Sequence, residues 1–227
     1  MSFVTKSFAG KSFRVLDRVH HLFDQLEPPM EKYWHLITRG EVVVDVGACY
    51  GQYALPALAL GANVIAYEPF EEGRRVLQAQ VEENVWEDRF DLESRALGNG
   101  APYPMELSGE VWTKHYPTSM PEFSTLDDDM EKDRIDWDTV DWIKCDNEGG
   151  ELLFLQGAAQ TIERCKPTLI IEDHENVDPA SAVSTWPASI DSSARIHRML
   201  SSMGYEIEVM KWDISRRFLF CKHPDRP

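Results

Sequence analysis

Two short acidic clusters carry the residues best suited to chemistry. "KCDNEGGE", residues 144–151, and "IEDHE", residues 171–175, each close an apolar, β-branched run. Side chains alternate along a strand, so Lys144 and Asp146 fall on one face, with Asp146 at the carboxyl end. Glu172, Asp173 and His174 close the second run in the same way. Carboxylates beside a histidine suit removal of a proton from an acceptor hydroxyl. His174 is one candidate general base, because its ordinary pKa lies near neutrality. Asp146 is the other, or it orients the acceptor, with Glu172 beside it. A metal is a third reading: Asp146, Glu172 and Asp173 are hard oxygen ligands suited to Mg²⁺ or Ca²⁺. Such an ion would lower the pKa of a bound hydroxyl. The plainer alternatives are a structural His174, a Lys144 that only pairs with an acidic neighbour, and Glu148 or Glu151 serving the next helix as cap or dipole partner.

A third stretch offers a ligand cradle. "VVVDVGACYGQYAL", residues 42–55, is an apolar run ending at Asp45, followed by Gly47 and Gly51. The glycines allow close backbone approach and angles that other residues avoid. The helix that follows aims its first amides at the same place. The pattern is D-x-G-x-x-x-G, without the G-x-G-x-x-G that cradles a pyrophosphate. A carboxylate at Asp45 favours a ligand carrying positive charge, such as S-adenosylmethionine with its sulfonium and ammonium groups. Glu68 ends the next apolar run, where an acidic side chain can accept both ribose hydroxyls. Ala48, Tyr50 and Pro69 flank these positions and join the candidate cofactor-binding set.

These residues need a scaffold. Helical spacing is expected over 11–26 and 29–38, giving an N-terminal helical extension over 1–40. The rest, 41–227, alternates between strands and helices. Strands are expected at 42–46, 63–69, 89–97, 140–146 and 167–173, and helices at 51–60, 71–85, 150–165 and 191–204, the last N-capped by Asp191. A hairpin is placed near 103–113, and loops at 101–139 and 176–189 form the acceptor walls. Two closing strands meet at a turn near 213–216. The order implies an α/β fold: a mostly parallel sheet with helices on both faces and an antiparallel edge. Tyr50, Tyr53, Trp112, Tyr116 and Trp186 are expected to rim the site, where sugar faces stack on rings.

Composition narrows the partners. The chain has 227 residues, 43% of them hydrophobic, enough for one domain with a substantial core. The net charge of −16 disfavours general nucleic-acid binding and anionic membranes. No apolar run approaches bilayer length, and the N-terminus lacks the apolar core of a signal peptide. The four cysteines are widely spaced, which fits free thiols in a reducing cytoplasm. Oligomeric state is not legible.

Together, "VVVDVGACYGQYAL", "VIAYEPFEEGRRVLQAQVEEN", "RALGNG", "STLDDDM", "VDWIKCDNEGGELLFLQGA" and "PTLIIEDHEN" resemble the FkbM-type methyltransferases, colinearly over about residues 40–176. The resemblance implies a class I methyltransferase fold: a Rossmann-like seven-stranded sheet with its last strand antiparallel. It implies S-adenosylmethionine as cofactor, contacted by Asp45, Gly47, Gly51, Glu68 and the Arg95–Ala96 backbone near adenine. It also implies O-methylation of a small acceptor, a sugar or glycosylated metabolite. Two positions depart from the family pattern: Cys49, commonly Asn, and Asn147, commonly apolar. The competing readings are an NAD-type oxidoreductase, which Asp45 opposes, and a catalytically silent cofactor-binding module.

Overall fold

The computed structural model describes residues 1–101, 121–132, 139–173, 189–212 and 217–226. The chain opens with a hairpin, β1 (Phe3–Phe8) and β2 (Lys11–Leu16), followed by a 3-10 turn over Asp17–Phe23. A short helix α1 (Pro28–Lys32) and a further 3-10 turn (Trp34–Leu36) complete the segment. This corrects the helices expected at 11–26 and 29–38. Val15 and Leu16 do point inward, but from an antiparallel strand whose register places Val15 opposite Val4 and Leu16 opposite Phe3.

Seven strands form the central sheet. They are β3 (Val42–Val46), β4 (Asn63–Tyr67), β5 (Phe90–Glu93), β8 (Trp142–Cys145), β9 (Thr168–Asp173), β10 (Glu206–Lys211) and β11 (Arg217–Lys222). Their order is β10-β11-β9-β8-β3-β4-β5. β9, β8, β3, β4 and β5 run parallel, and β11 is antiparallel to both β9 and β10. The last strand is therefore inserted one place in from the edge, and β10 forms the edge itself. All five residues of β3 are buried, as the centre of a sheet covered on both faces requires. The order reverses between β3 and β8, so the crevice above these two strands is the place where an open α/β sheet takes its ligand.

Helices α2 (Ala54–Leu60) and α3 (Glu71–Asn84) follow β3 and β4. One core layer packs α2, the hairpin and Trp34 against Val43, Val64 and Ile170. On the other face, α5 (Glu151–Gly157), α6 (Ala159–Cys165) and α7 (Ser189–Ser202) cover Val44, Ile65, Ile143 and Leu169. The helix expected at 150–165 is thus broken at Ala158. A Cβ on Gly157 would sit 1.8 Å from the Gly98 carbonyl oxygen, so helix and loop meet there at backbone distance. α7 begins at Ser189, which puts Asp191 within its first turn rather than at its cap.

The strand expected at 89–97 also divides. β5 ends at Glu93, and β6 (Ala96–Leu97) pairs instead with β7 (Phe123–Ser124), just before α4 (Leu126–Glu131). Arg95 marks the break, because its guanidinium turns inward to Glu93 and Asp129. The hairpin near 103–113, the turn at 213–216 and nearly all of the 176–189 loop lie outside the described residues.

Candidate functional site

The glycine turn is built on backbone contact. The Gly47 and Ala48 amides both donate to the Tyr67 carbonyl, at 2.9 and 3.2 Å, which ties the end of β3 to the end of β4. Gly47 has φ +77°, and a Cβ there would lie 1.8 Å from the carbonyl oxygen of Asp146. Glycine is needed on both counts. The turn therefore rests directly on the end of β8. Gly51, at φ +88°, leaves room for the Leu77 side chain of α3, whose Cδ1 a Cβ would approach to 2.5 Å. Tyr50 packs by its ring near Leu16, Val19 and Val76, and its carbonyl accepts from Gln80 at 2.8 Å.

Glu68 is 6% exposed. Its two oxygens accept the amides of Cys49 and Phe70, both at 2.6 Å. Burial pushes its carboxyl above the ordinary value, and those two amides draw it back. Each carboxylate oxygen carries a second lone pair, so ribose hydroxyls can still be accepted. Gly73 of α3 makes this placement possible: a Cβ there would stand 3.0 Å from the Cys49 carbonyl oxygen and 3.1 Å from Glu68 Cγ. Gly73 was not among the expected site residues, although a glycine inside a helical pattern is itself a signal of close packing.

Across the turn stands a ladder of charge. Asp45 is wholly buried, and neither of its oxygens has a hydrogen-bond partner among the described residues. Lys144 lies above it, its ammonium 3.7 Å from Asp45 Oδ1, 3.5 Å from Asp146 Oδ2 and 3.2 Å from the Gly47 carbonyl. Asp146 is the outermost rung, with a quarter of its side chain exposed. Burial raises the carboxyl pKa of Asp45, and the Lys144 ammonium opposes that rise. Burial likewise works against the charge of Lys144. The Asp146, Asp45, Glu27 and Glu172 carboxylates outweigh it and hold the ammonium above its usual pKa. A buried acidic residue at Asp45, 3.7 Å from the Lys144 ammonium, fits a cofactor with positive charge better than a pyrophosphate, although Asp45 acts on it from beneath Lys144.

The expected metal ligands do not converge. Glu172 shares its strand face with Ile170, the partner of Lys144 in the sheet, whereas Asp173 alternates to the opposite face. There Asp173 Oδ2 accepts from Ser193 Oγ and Arg217 Nε, both at 2.7 Å. Among the described residues no group of three or more His, Cys, Asp or Glu could hold a metal ion, so the Mg²⁺ site on Asp146, Glu172 and Asp173 is not supported. His174 lies outside the described residues, as do Trp112, Tyr116 and Trp186.

Other expectations are redistributed. Tyr53 is 3% exposed and so belongs to the core rather than the rim. Its hydroxyl meets Glu27 of the N-terminal segment, and its ring lies 5.0 Å from the Lys144 ammonium. Glu27 carried no recognisable pattern in the sequence. Glu151 supports the loop before its helix by accepting from the Gly149 amide at 3.0 Å, while Glu148 holds φ +58°. Asn147 donates weakly to the Leu97 carbonyl at 3.5 Å. The Arg95 side chain, 2.9 Å from buried Asp129, is committed inward, and the Ala96 amide donates to the Glu122 carbonyl at 2.9 Å. Asp129 also accepts from Tyr67 and Ser124, each at 2.9 Å. Pro69 follows Glu68, and its carbonyl accepts from Arg74 at 2.6 Å.

Comparison with known proteins places this arrangement. A family described as the methyltransferase FkbM domain matches residues 45–207. No curated protein matches. The crystal structure of a methyltransferase FkbM from Methylobacillus flagellatus superposes with a TM-score of 0.56 at 21% identity, covering 83% of this chain and 50% of that one. The chain thus spans about half the length of that relative. An O-methyltransferase from Bacillus cereus in complex with SAH superposes with a TM-score of 0.57 at 11% identity, covering 88% of this chain and 82% of that one.

Proposed function

The chain belongs to the FkbM methyltransferase domain family, and from that premise we propose that it methylates a hydroxyl of a small polar acceptor, a sugar or glycosylated metabolite, using S-adenosylmethionine. The observation that carries the reading is the buried Asp45, without a hydrogen-bond partner but ion-paired to Lys144, against the Gly47 turn. When bound, S-adenosylmethionine supplies an electrophilic methyl group. The chain's own residues bind, orient and deprotonate. Glu68 accepts the ribose hydroxyls, the Arg95–Ala96 backbone meets the base, and Gly47, Ala48, Tyr50, Gly51 and Pro69 shape the cradle. Asp146, a quarter exposed at the end of β8, would orient the acceptor and take its hydroxyl proton. Glu172, on the same face, adds to the negative field, and His174 is the alternative base.

Residues 1–40 are an extension of the transferase domain, 41–227. Widely spaced thiols favour a reducing compartment such as the cytoplasm, and no helix among the described residues is long and apolar enough to cross a membrane. The net charge supports a small-molecule acceptor over a nucleic acid.

Calorimetry tests the donor directly. The protein should bind S-adenosylmethionine and S-adenosylhomocysteine and ignore NAD; tight NAD binding without either would defeat the proposal. Glu68→Ala should weaken donor binding by about 1–3 kcal/mol, the size of a lost charged hydrogen bond. An unchanged dissociation constant would remove the ribose assignment. Asp146→Ala should lower turnover more than donor affinity, read from kcat and KM once an acceptor is found.

A further inference from the structure

Lys144 is 5% exposed in its side chain, with Asp45 at 0% below it and Asp146 at 26% above. Its ammonium has three N–H donors and no acceptor capacity. They face the Gly47 carbonyl at 3.2 Å and Asp146 Oδ2 at 3.5 Å, with Asp45 Oδ1 at 3.7 Å. One cation thus joins the glycine turn after β3 to the carboxylate after β8, across the point where strand order reverses. The charge of Asp45 reaches the crevice through it. The ammonium also has a fixed floor, the Tyr53 ring at 5.0 Å. That ring is held in turn by Glu27 at its hydroxyl and by Trp34, whose Nε1 donates to the Tyr53 carbonyl at 3.1 Å. Glu27 and Trp34 precede the family-matched segment, so the N-terminal extension supports the ring beneath Lys144.

We propose that Lys144 is a positioning residue for the methyl donor, acting through Asp146 and the Gly47 carbonyl, with Tyr53 and Glu27 as its support. The proposal rests on the S-adenosylmethionine reading of the site. Lys144 does not touch the acceptor and is not the base: four carboxylates keep it a cation. Its work is to hold the turn and the strand-end carboxylate in one fixed relation, so that the donor meets a preformed wall rather than two independently moving ones. Pre-organisation of this kind lowers the ordering cost of binding.

A double-mutant cycle tests this, read by calorimetric binding of S-adenosylmethionine and by the thermal midpoint of each protein without ligand. Lys144→Met and Asp146→Asn should each weaken donor binding about tenfold, the order expected for a lost charge-assisted contact. If Lys144 works through Asp146, the double variant should lose far less than the product of the single losses, staying within about twentyfold. Tyr53→Phe, which keeps the ring and drops the tie to Glu27, should lose about threefold. Lys144→Arg keeps the charge but moves it; it should fold with a near-native midpoint and still bind the donor less tightly, and it covers the case in which Lys144→Met does not fold. Native donor affinity in Lys144→Met or Lys144→Arg, or a double loss near a hundredfold, would overturn the proposal. A wild type that binds no S-adenosylmethionine would instead overturn the donor reading on which it stands.

Discussion

At Gly47 the chain has no spare space at all. A methyl there would stand 1.8 Å from the Asp146 carbonyl oxygen, at a φ of +77°. Strain and overpacking add, so Gly47→Ala should cost about 3 kcal/mol or more and abolish donor binding, measured by urea denaturation and calorimetry. Two residues on, Cys49 also sits in the left-handed region, at φ +49°, which Asn tolerates better than most side chains. Its thiol is pushed up from 9.0 to about 12, chiefly by burial and then by Glu68. Between those values the unfolded thiol ionises while the folded one stays neutral, so stability falls as pH rises from 9, and below that pH the thiol adds no pH dependence. Cys49→Ala should therefore lose less stability than the wild type between pH 8 and pH 10.5, by up to about 2 kcal/mol, and a parallel loss in both would refute the shift. Asp45, Gly47 and Glu68 were picked out by type and spacing, and the structure brings them together around one turn. Glu27, Gly73 and the inward turn of Arg95 were not legible, since the first and last depend on partners 26 and 34 residues away and Gly73 on backbone proximity that no local pattern encodes.

Elements were legible where one face of the pattern met one neighbour. β3 falls at Val42–Val46 as its continuous β-branched run predicts, and α2 ends at Gly61, at φ +100°. The N-terminal stretch misled because Val15, Leu16, Val19 and Leu22 fit a helical stripe in sequence. The structure uses the first two in β2 and Val19 within a 3-10 turn. Pairing with β1 and packing of Phe13 against the α2 layer override that local periodicity. The split of 150–165 teaches the same lesson in reverse, because Gly157 reads locally as a weak helix residue and acts as a contact. Gly157→Ala separates the two views. Helix propensity alone predicts a gain of about 1 kcal/mol, whereas the 1.8 Å approach to the Gly98 carbonyl predicts a net loss of about 1–3 kcal/mol. Denaturation of the variant should show the loss; a gain would mean that α5 can shift away from the loop without cost.

The molecule as a whole carries 39 acidic and 23 basic side chains. Sheet order, the switch point and the place of the site follow from alternating strands and helices, so the global topology was more legible than many of its boundaries. The inserted position of β11 was not, because a closing strand pair has the same local pattern at the edge as one place in from it. The charge makes a prediction at this scale. Salt screens exposed ion pairs such as Lys32–Glu208 at 2.6 Å and Arg75–Glu72 at 2.8 Å, which contribute little to stability. It also screens the mutual repulsion of sixteen uncompensated negative charges, which opposes the compact state. Repulsion is the larger of the two, so raising NaCl from about 20 to 300 mM, which shortens the Debye length from roughly 20 to 6 Å, should raise the thermal midpoint. Relief of about 1–2 kcal/mol corresponds to roughly 2–8 °C for a chain of this length. The Asp45–Lys144 pair is shielded from that ionic atmosphere by burial, so donor affinity should change little across the same series. A midpoint that falls with salt would show that surface pairs outweigh the excess charge. A donor affinity that collapses with salt would place the decisive charges at the surface and not in the buried ladder.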